Sequence, residues 1–499
     1  MAYEAVIGLE CHVQLRTRSK MFCDCPAEFG AEPNSNVCPV CLGLPGALPR
    51  PNRAAVEAAL RLALAVEGTI HPESVFARKN YFYPDMPKNY QITQYDRPLS
   101  EGGSLPVMIE GTERRFGLVR IHLEEDTGKS FHPERSGDRP VSRLDFNRAG
   151  VPLLELVTEP VFRAPAECSA FLAVLRRLVR WLGICEGGME KGHMRCDANV
   201  SLRPVGAATF GVKTELKNLN SIKGVERGLD AEIARQRSVL EAGGRLEQAT
   251  LLYDAEHDRL AVMRSKEYAH DYRYFPDPDL PVLRVSPAWL ESLRSGLPEL
   301  PWARAARFVA GFGLPAYDAG LLCEQRELAD YYEELVQAGA PAKSASNWVM
   351  TEMLRHLKEQ GLSVGQWRDK VRAPWFAHII TQVESKQVTA FGGKSALDEV
   401  MRTGADPDSI FVKRGTKVLN STEELRPLVL EVLDEHRGVV GEVLQGRTRA
   451  FEFLVGQVMK KSRGQAVPQV VQELLHSELA RRGGRPPGLR PKADRGPGS

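Results

Sequence analysis

The sequence predicts an α+β chain in which a sheet-based N-terminal domain is followed by helices alone. Three observations carry that expectation. Up to about residue 287, short alternating apolar and polar runs are separated by Gly and Pro, the pattern of strands with a few inserted helices. Beyond Ser286 the apolar residues recur at helical spacing. The last stretch, 482–499, is Gly, Pro, Arg and Lys with almost nothing apolar, and cannot form a core. A length of 499 residues suits two to four domains at about 100–200 residues each. The expected division is a sheet domain over 1–292, a helical domain over 293–405, a small helical tail domain over 406–481 and a disordered basic tail over 482–499.

Taken in order, Gly8-Leu-Glu-Cys-His-Val-Gln-Leu15 alternates as a strand. It places Glu10, His12 and Gln14 on one face and Leu9, Cys11, Val13 and Leu15 on the other. Residues 52–67 and 164–181 carry apolar positions at helical spacing. A second strand, ending at Glu124 and Glu125, sets Arg120, His122 and Glu124 opposite Val119, Ile121 and Leu123. A third sets Asp197, Asn199, Ser201 and Arg203 opposite Ala198, Val200 and Leu202, and a fourth aligns Lys213, Glu215 and Lys217. Pro287, Pro298, Pro301 and Pro315 are expected to punctuate a linker. Helices are expected over 324–338, 345–360, 375–382 and 396–403. After a break near Gly404, more follow over 425–435, 438–444, 451–460 and 468–481.

Composition excludes several classes. Hydrophobic residues make up 43% and charged residues 26%, as in an ordinary globular protein, so a core needs no disulfides. No apolar run of about 18 residues offers a membrane span, and the N-terminus lacks the basic-then-apolar pattern of a secretory signal. A cytoplasmic location is expected. The net charge of +2 does not bear on nucleic acid, because binding depends on local patches.

Two constellations carry chemistry. Cys23-Asp-Cys25 and Cys38-Pro-Val-Cys41 have the spacing of a four-thiolate zinc site, closed to water and therefore structural. The alternatives are four reduced, buried thiols or an iron–sulfur centre. Four strands, each with an acid beside a basic or amide group on one face, would form a carboxylate-lined cradle if they share a curved sheet. Such a face suits hard divalent cations, and its Lys and Arg suit phosphates. The alternative is a solvated face laced with ion pairs. No GxxxxGK[ST] loop occurs and no GxGxxG follows a strand, so a nucleotide would be held through metal on the sheet.

These segments resemble the signature blocks of the B subunits of tRNA-dependent amidotransferases, the GatB/GatE family. They are Ile7-Gly-Leu-Glu-Cys-His-Val-Gln-Leu15, Lys79-Asn-Tyr-Phe-Tyr-Pro-Asp-Met-Pro-Lys-Asn-Tyr-Gln91, His122-Leu-Glu-Glu-Asp-Thr-Gly-Lys129, Asp145-Phe-Asn-Arg-Ala-Gly-Val-Pro152, Arg195-Cys-Asp-Ala-Asn-Val-Ser-Leu202, Glu215-Leu-Lys-Asn-Leu-Asn220, Arg264-Ser-Lys-Glu267 with Tyr272-Arg-Tyr-Phe-Pro-Asp-Pro-Asp-Leu280, and Phe453-Leu-Val-Gly-Gln-Val-Met459. In order, they cover essentially residues 3–480.

The resemblance implies a glutamine-synthetase-like cradle, a helical domain and a YqeY-like tail. It implies that ATP phosphorylates the side-chain carboxylate of Glu-tRNA(Gln) or Asp-tRNA(Asn), after which ammonia displaces phosphate. Catalytic positions match Glu10, His12, Glu124, Glu125, Asp197 and Glu215, with Glu10, His12, Glu124, Glu125 and Glu215 expected to hold Mg²⁺. Lys79, Lys88, Arg148, Asn199, Lys217 and Arg273 are candidate contacts to ATP or substrate. Lys343, Lys460, Lys461 and Arg463 lie at helix ends in the part expected to embrace tRNA, whereas Trp348 and Phe453 are expected in cores rather than as base-stacking platforms. The chain has no Gly-Gly-Ser-Ser-Gly-Gly-Ser run of an amidase, so the glutaminase is expected in a separate A subunit. A small C subunit and a non-discriminating aminoacyl-tRNA synthetase are further candidate partners. The competing readings are an ammonia ligase acting on a free amino acid and a non-catalytic tRNA-binding scaffold.

Overall fold

The computed structural model describes residues 2–131, 141–265, 271–414, 422–445, 447–462 and 465–483. Arg463 and the basic stretch 484–499 fall outside these residues. Two compact units divide the chain, one ending at Ala303 and one beginning at Arg304.

The first unit runs β1 (Tyr3–Gln14), α1 (Arg53–Ala65), β2 (Thr69–Ile70), β3 (Glu73–Ser74), β4 (Ala77–Asn80), β5 (Tyr90–Thr93), β6 (Ser100–Glu101), β7 (Ser104–Ile109), β8 (Thr112–Glu125), β9 (Lys129–Phe131), β10 (Arg143–Asp145) and β11 (Pro152–Thr158). It continues through α2 (Pro165–Trp181), β12 (Met194–Pro204), β13 (Thr214–Leu219), α3 (Ile222–Glu241), β14 (Ala249–Asp254), β15 (Arg259–Ser265), β16 (Phe275–Pro276), β17 (Leu283–Arg284) and α4 (Pro287–Ser295). The main sheet has the order β15-β14-β13-β12-β1-β11-β8-β6-β2, with β7 paired to β8. Its pairs are antiparallel except β13 with β14, which α3 connects as a crossover.

One face of the sheet is apolar. Leu9, Cys11 and Val13 of β1, Leu154 and Leu156 of β11 and Ala198 and Val200 of β12 join the buried faces of α1, α2 and α3 in one core. Each fully buried aliphatic side chain there contributes about 1.5–3 kcal/mol. Asn52 caps α1 through Ala54 N–H at 2.9 Å, and Ser221 caps α3 through Gly224 N–H at 2.9 Å. Covering one face with helices leaves the other, with Glu10 and His12, open for chemistry.

Some expectations change. Val119 is not on the core face of β8 but 44% exposed. The β8–β11 register slips there, Val157 pairing with Arg120 and Thr158 with Leu118. The extra residue turns Phe116 and Leu118 inward before the slip and Ile121 and Leu123 inward after it. The prolines after Ser286 do not mark a linker. Pro287 and Pro301 open helices, where their fixed φ and missing N–H suit the first turn, and Pro315 sits at a helix N-cap. Leu293 of α4 belongs to the sheet domain's core.

The second unit is helical, with α5 (Pro301–Phe312) leading into it. It comprises α6 (Ala316–Leu322), α7 (Arg326–Gln337), α8 (Ala342–Trp348), α9 (Leu354–Gln360), α10 (Val364–Lys370), α11 (Ala373–Glu384), α12 (Ala390–Thr403), α13 (Pro407–Arg414), α14 (Thr422–Glu435), α15 (Arg437–Leu444), α16 (Thr448–Lys461) and α17 (Pro468–Arg481). A π-helical turn, Val349–Met353, joins α8 to α9. The last four helices enclose a core of their own, including Leu425, Val429, Leu454, Val458 and Leu475. Trp348 is buried and meets Phe376 edge-on at 6.0 Å. Phe453 is not a core residue: it is 43% exposed, because the buried stripe of α16 is Ala450, Phe451, Leu454 and Val458.

Candidate active site

The site is written in the strand register. Across β12, β1, β11 and β8, one row reads Arg195, His12, Glu155 and His122. The next reads Asp197, Glu10, Val157 and Arg120, and Glu124 stands opposite Leu153 one step the other way. Because side chains alternate with period two, these residues all project from the face opposite the core.

They line a polar cavity of about 500 Å³. At its centre, His12 Nε2 lies 3.5 Å from Glu124 and 3.3 Å from Glu155, and His122 Nε2 lies 3.5 Å from Glu155. One donor atom from each of His12, Glu124 and Glu155 falls within 4.8 Å of the others. An imidazole with two carboxylates is a donor set that accepts Mg²⁺ or Mn²⁺. Among the described residues, Nδ1 of the buried His122 has no hydrogen-bond partner.

The electrostatics are tightly balanced. His12 is pushed up to about 9: burial opposes the charged form, but the hydrogen bond to Glu155 and the charge of Glu124 outweigh it. Glu155 is held well below the carboxylate range against the effect of burial, chiefly by His122 and His12. Glu10 is pushed upward by burial and then by Glu155, Asp197 and Glu215, three acids facing a fourth. Lys79, on β4, is held protonated against burial by Glu124 and Glu155. Lys217 joins Asp197 to Glu215, lying 3.1 Å from the latter. Arg195 pairs with Asp126 at 2.9 Å.

The sequence-named residues thus separate into groups. Glu10, His12, Glu124, Asp197, Glu215, Lys79 and Lys217 line one cavity. Asn199 stands at its edge, donating to Glu10 Oε1 at 2.9 Å. Glu125 does not join them, because the residue after Glu124 points to the other face of the strand. It is buried there as an ion pair with Lys88, and accepts from Ile92 N–H at 2.9 Å. Glu125 and Lys88 line a separate cavity with Cys23 and Cys41. Gly43, at φ +67°, lies against Lys88 so closely that a Cβ would stand 2.4 Å from its Cγ. Arg148 donates to the carbonyls of Thr127 and Gly128 and pairs with Asp126 at 3.4 Å. Arg273 lies near β4, where its carbonyl accepts from Asn80.

Sequence reasoning missed Glu155 and Arg195. Glu155 is 8% exposed. Its only signal was a lone acid within the apolar run Pro152-Leu-Leu-Glu-Leu-Val157. It also overlooked Gly183-Ile-Cys-Glu-Gly187, which has the spacing of a glutaminase nucleophile turn. Cys185 is buried, and burial pushes its thiol up to about 11; its sulfur donates to the His193 carbonyl. That is the environment of an inert thiol.

The four cysteines Cys23, Cys25, Cys38 and Cys41 also converge, their sulfurs within 4.8 Å of one another, and this cluster could hold a zinc ion. Cys41 is drawn down to about 4, first by a hydrogen bond from Cys23, and Lys20 adds its charge at 3.6 Å. In the helical unit Lys343 pairs with Asp318, and Lys461 bridges Glu431 and Glu435. Lys460 is exposed. Among the described residues, no helix is long and apolar enough to cross a membrane.

The sheet domain thus carries an acid-lined cavity on its open face and is followed by a helical unit. The GatB/GatE catalytic domain matches residues 5–291 and the GatB domain matches residues 330–479, so the chain belongs to the GatB/GatE family. It is similar to the B subunit of the aspartyl/glutamyl-tRNA(Asn/Gln) amidotransferase of Moorella thermoacetica, 48% identical over 479 residues, 96% of this chain and 100% of that protein. The corresponding protein of Chlorobium chlorochromatii is 47% identical, and that of Geobacter sulfurreducens 46%, each over 96% of this chain and 100% of the relative.

Proposed function

We infer that this chain is the B subunit of an ATP-dependent, tRNA-dependent amidotransferase and forms Gln-tRNA(Gln) or Asn-tRNA(Asn). The observation that carries the reading is the His12–Glu124–Glu155 cluster at the centre of a polar cavity walled by Lys79, Arg195 and Lys217. A free carboxylate does not yield to ammonia, because its leaving group would be oxide. Transfer of the γ-phosphoryl group of ATP to the Glu or Asp side chain of the misacylated tRNA gives an acyl phosphate and ADP. Ammonia then adds to the acyl carbon, phosphate leaves and an amide remains.

His12, Glu124 and Glu155 would hold Mg²⁺, with Glu10 and Glu215 beside them, and the bound ion would supply charge neutralisation for the transferring phosphoryl group. Lys79 and Arg195, both fixed as cations by neighbouring carboxylates, bind phosphoryl or carboxylate oxygens. Lys217 and Asn199 fix the orientation of Asp197, Glu215 and Glu10, so the acids are preorganised when the nucleotide arrives. Glu125 and Lys88 support the cluster from behind, and the four cysteines brace the same region with structural zinc. The sheet domain corresponds to a glutamine-synthetase-like cradle. Helices α5–α13 and the YqeY-like α14–α17 hold the tRNA, with Lys343, Lys460 and Lys461 towards its phosphates. Ammonia comes from a glutaminase A subunit, joined with a small C subunit in a heterotrimer.

The test is ADP formation by the assembled complex with Mg²⁺, glutamine and misacylated tRNA. Correctly charged tRNA and free glutamate are the controls. ADP formed only with misacylated tRNA, and lost in Glu124→Gln, supports the reading. ADP formed with free glutamate instead assigns a small-molecule ligase, and none with bound tRNA assigns a scaffold.

A further inference from the structure

A lysine is almost never fully buried unless an opposite charge meets it. Lys20 is 0% exposed, and among the described residues no carboxylate pairs with it. Its Nζ donates to the Cys41 sulfur at 3.6 Å and to the Phe146 carbonyl at 3.2 Å. A carbonyl dipole does not neutralise an ammonium, so the group positioned to do so is a sulfur of the cysteine cluster. The backbone fixes the side chain there. Lys20 N–H donates to the Cys25 carbonyl at 3.0 Å, and Asn52 donates to the Lys20 carbonyl at 3.2 Å.

The charge of the cluster explains the arrangement. Four reduced thiols are neutral and would leave Lys20 as a buried cation without a counter-charge, which is costly. Four thiolates around Zn²⁺ carry a net negative charge, so the loaded cluster has the opposite deficit. Cys41 is the sulfur on which donors converge. The Cys38 N–H reaches it at 3.1 Å from within the Cys38-Pro-Val-Cys41 turn, and Lys20 reaches it from outside that turn. Across Gly150, Glu125 is already taken by Lys88. A Cβ at Gly150 would stand 3.5 Å from Cys41 Cβ and from Lys20 Cδ, and 3.8 Å from a Glu125 oxygen.

We propose that Lys20 is the counter-charge of the cysteine cluster. It offsets the net negative charge of four thiolates on Zn²⁺. By donating to the Cys41 sulfur, it also holds that sulfur to the metal and blunts it as a nucleophile. The role rests on occupancy of the cluster by zinc, part of the function proposed for this chain. Lys20 is a positioning residue, because it touches a ligand and not the ion.

The experiment uses the full chain loaded with Zn²⁺ or Co²⁺. It compares Lys20→Met, of similar length without the charge, with Lys20→Arg, which keeps the charge. Competition with a chromophoric chelator should show zinc held about 10–100-fold more weakly in Lys20→Met, and within about threefold of the unaltered chain in Lys20→Arg. Alkylation by iodoacetamide, mapped by mass spectrometry, should reach Cys41 about tenfold faster in Lys20→Met. The thiolate-to-Co²⁺ charge-transfer band should move to lower energy there, because the sulfur loses a donor; a side chain that merely fills space would not move it. Unchanged zinc affinity, alkylation and cobalt spectrum in Lys20→Met overturn the proposal, as does equal loss in both variants. Should Lys20→Met not fold, Lys20→Gln is read in its place, and zinc affinity equal to that of the unaltered chain overturns the counter-charge. If the unaltered chain takes up neither metal, the zinc reading fails and Lys20 with it. If it takes them up and the uncharged variant matches it, Lys20 alone fails.

Discussion

Glu155→Gln is the most discriminating perturbation of the acidic cluster. The substitution keeps shape and removes one negative charge where His12 and His122 converge at 3.3 and 3.5 Å. Two effects oppose each other. Without metal, the imidazolium of His12 loses the hydrogen bond that, with Glu124, lifts it to about 9, so it releases its proton more readily. With metal, one of three converging donors is lost. Altering even an outer partner of a metal ligand typically costs about 10–100-fold in affinity, so loss of a direct donor should cost at least about 100-fold, or about 2.7 kcal/mol. The easier release of the His12 proton recovers only part of that. The assay is Mn²⁺ titration of the full chain followed by paramagnetic resonance, beside ADP formation by the complex. Affinity within about threefold of the unaltered chain, with activity retained, would refute the assignment of Glu155 as a donor. Loss in Glu124→Gln but not in Glu155→Gln would confine the metal to His12 and Glu124.

Three further outcomes are expected. Protein purified without chelator should carry about one zinc per chain, lost in Cys41→Ser, as metal analysis will show; zinc-free protein would leave the cysteines as reduced thiols. Glu352 is held below the usual carboxylate range against burial, by Lys394 at 2.7 Å and Arg355 at 3.0 Å, so its contribution is full above about pH 4.5 and lost as pH falls through its depressed value. Glu352→Gln should therefore cost about 2 kcal/mol at pH 7 and progressively less in acid, read from denaturant unfolding; an equal cost at every pH contradicts the ion pairs. A chain ending at residue 405 should bind tRNA more weakly at low salt while its Mn²⁺ affinity stays unchanged, and filter binding that shows equal tRNA affinity removes the tail from RNA recognition.

What the sequence displayed was period, and what it concealed was substitution within a period. Alternation marked the open face of β1 and its Glu10 and His12, and the same rule placed Asp197 and Glu215. Glu155 escaped because β11 is apolar on both sides of it, so one acid read as noise in a hydrophobic run. The 20-residue α3 escaped for a related reason. Its buried stripe of Gly224, Val225, Gly228, Leu229, Glu232 and Gln236 keeps helical spacing but is largely not apolar. There Gln236 donates to Thr214 at 2.9 Å and accepts from Leu202 N–H, so hydrogen bonds add to the apolar contacts of Val225 and Leu229 in holding the helix to the sheet. Glu125 was legible as an acid but not as one turned away from its neighbour, although consecutive strand residues always diverge. The position of the slip in β8 had no sequence signal, since Val119 looks like any core valine.

That slip makes β8 a strand read in two phases. Ahead of it the even-numbered Phe116 and Leu118 face the core; behind it the odd-numbered Ile121 and Leu123 do, which frees His122 and Glu124 for the cavity. Removing Val119 would take out the extra residue and leave a regular strand, with Phe116, Leu118, Ile121 and Leu123 still inward and His122 and Glu124 still in the cavity. Single substitutions at Val119 should be nearly silent, and its deletion should spare the site too: the slip is where this strand can absorb or lose a residue without turning its chemistry inward.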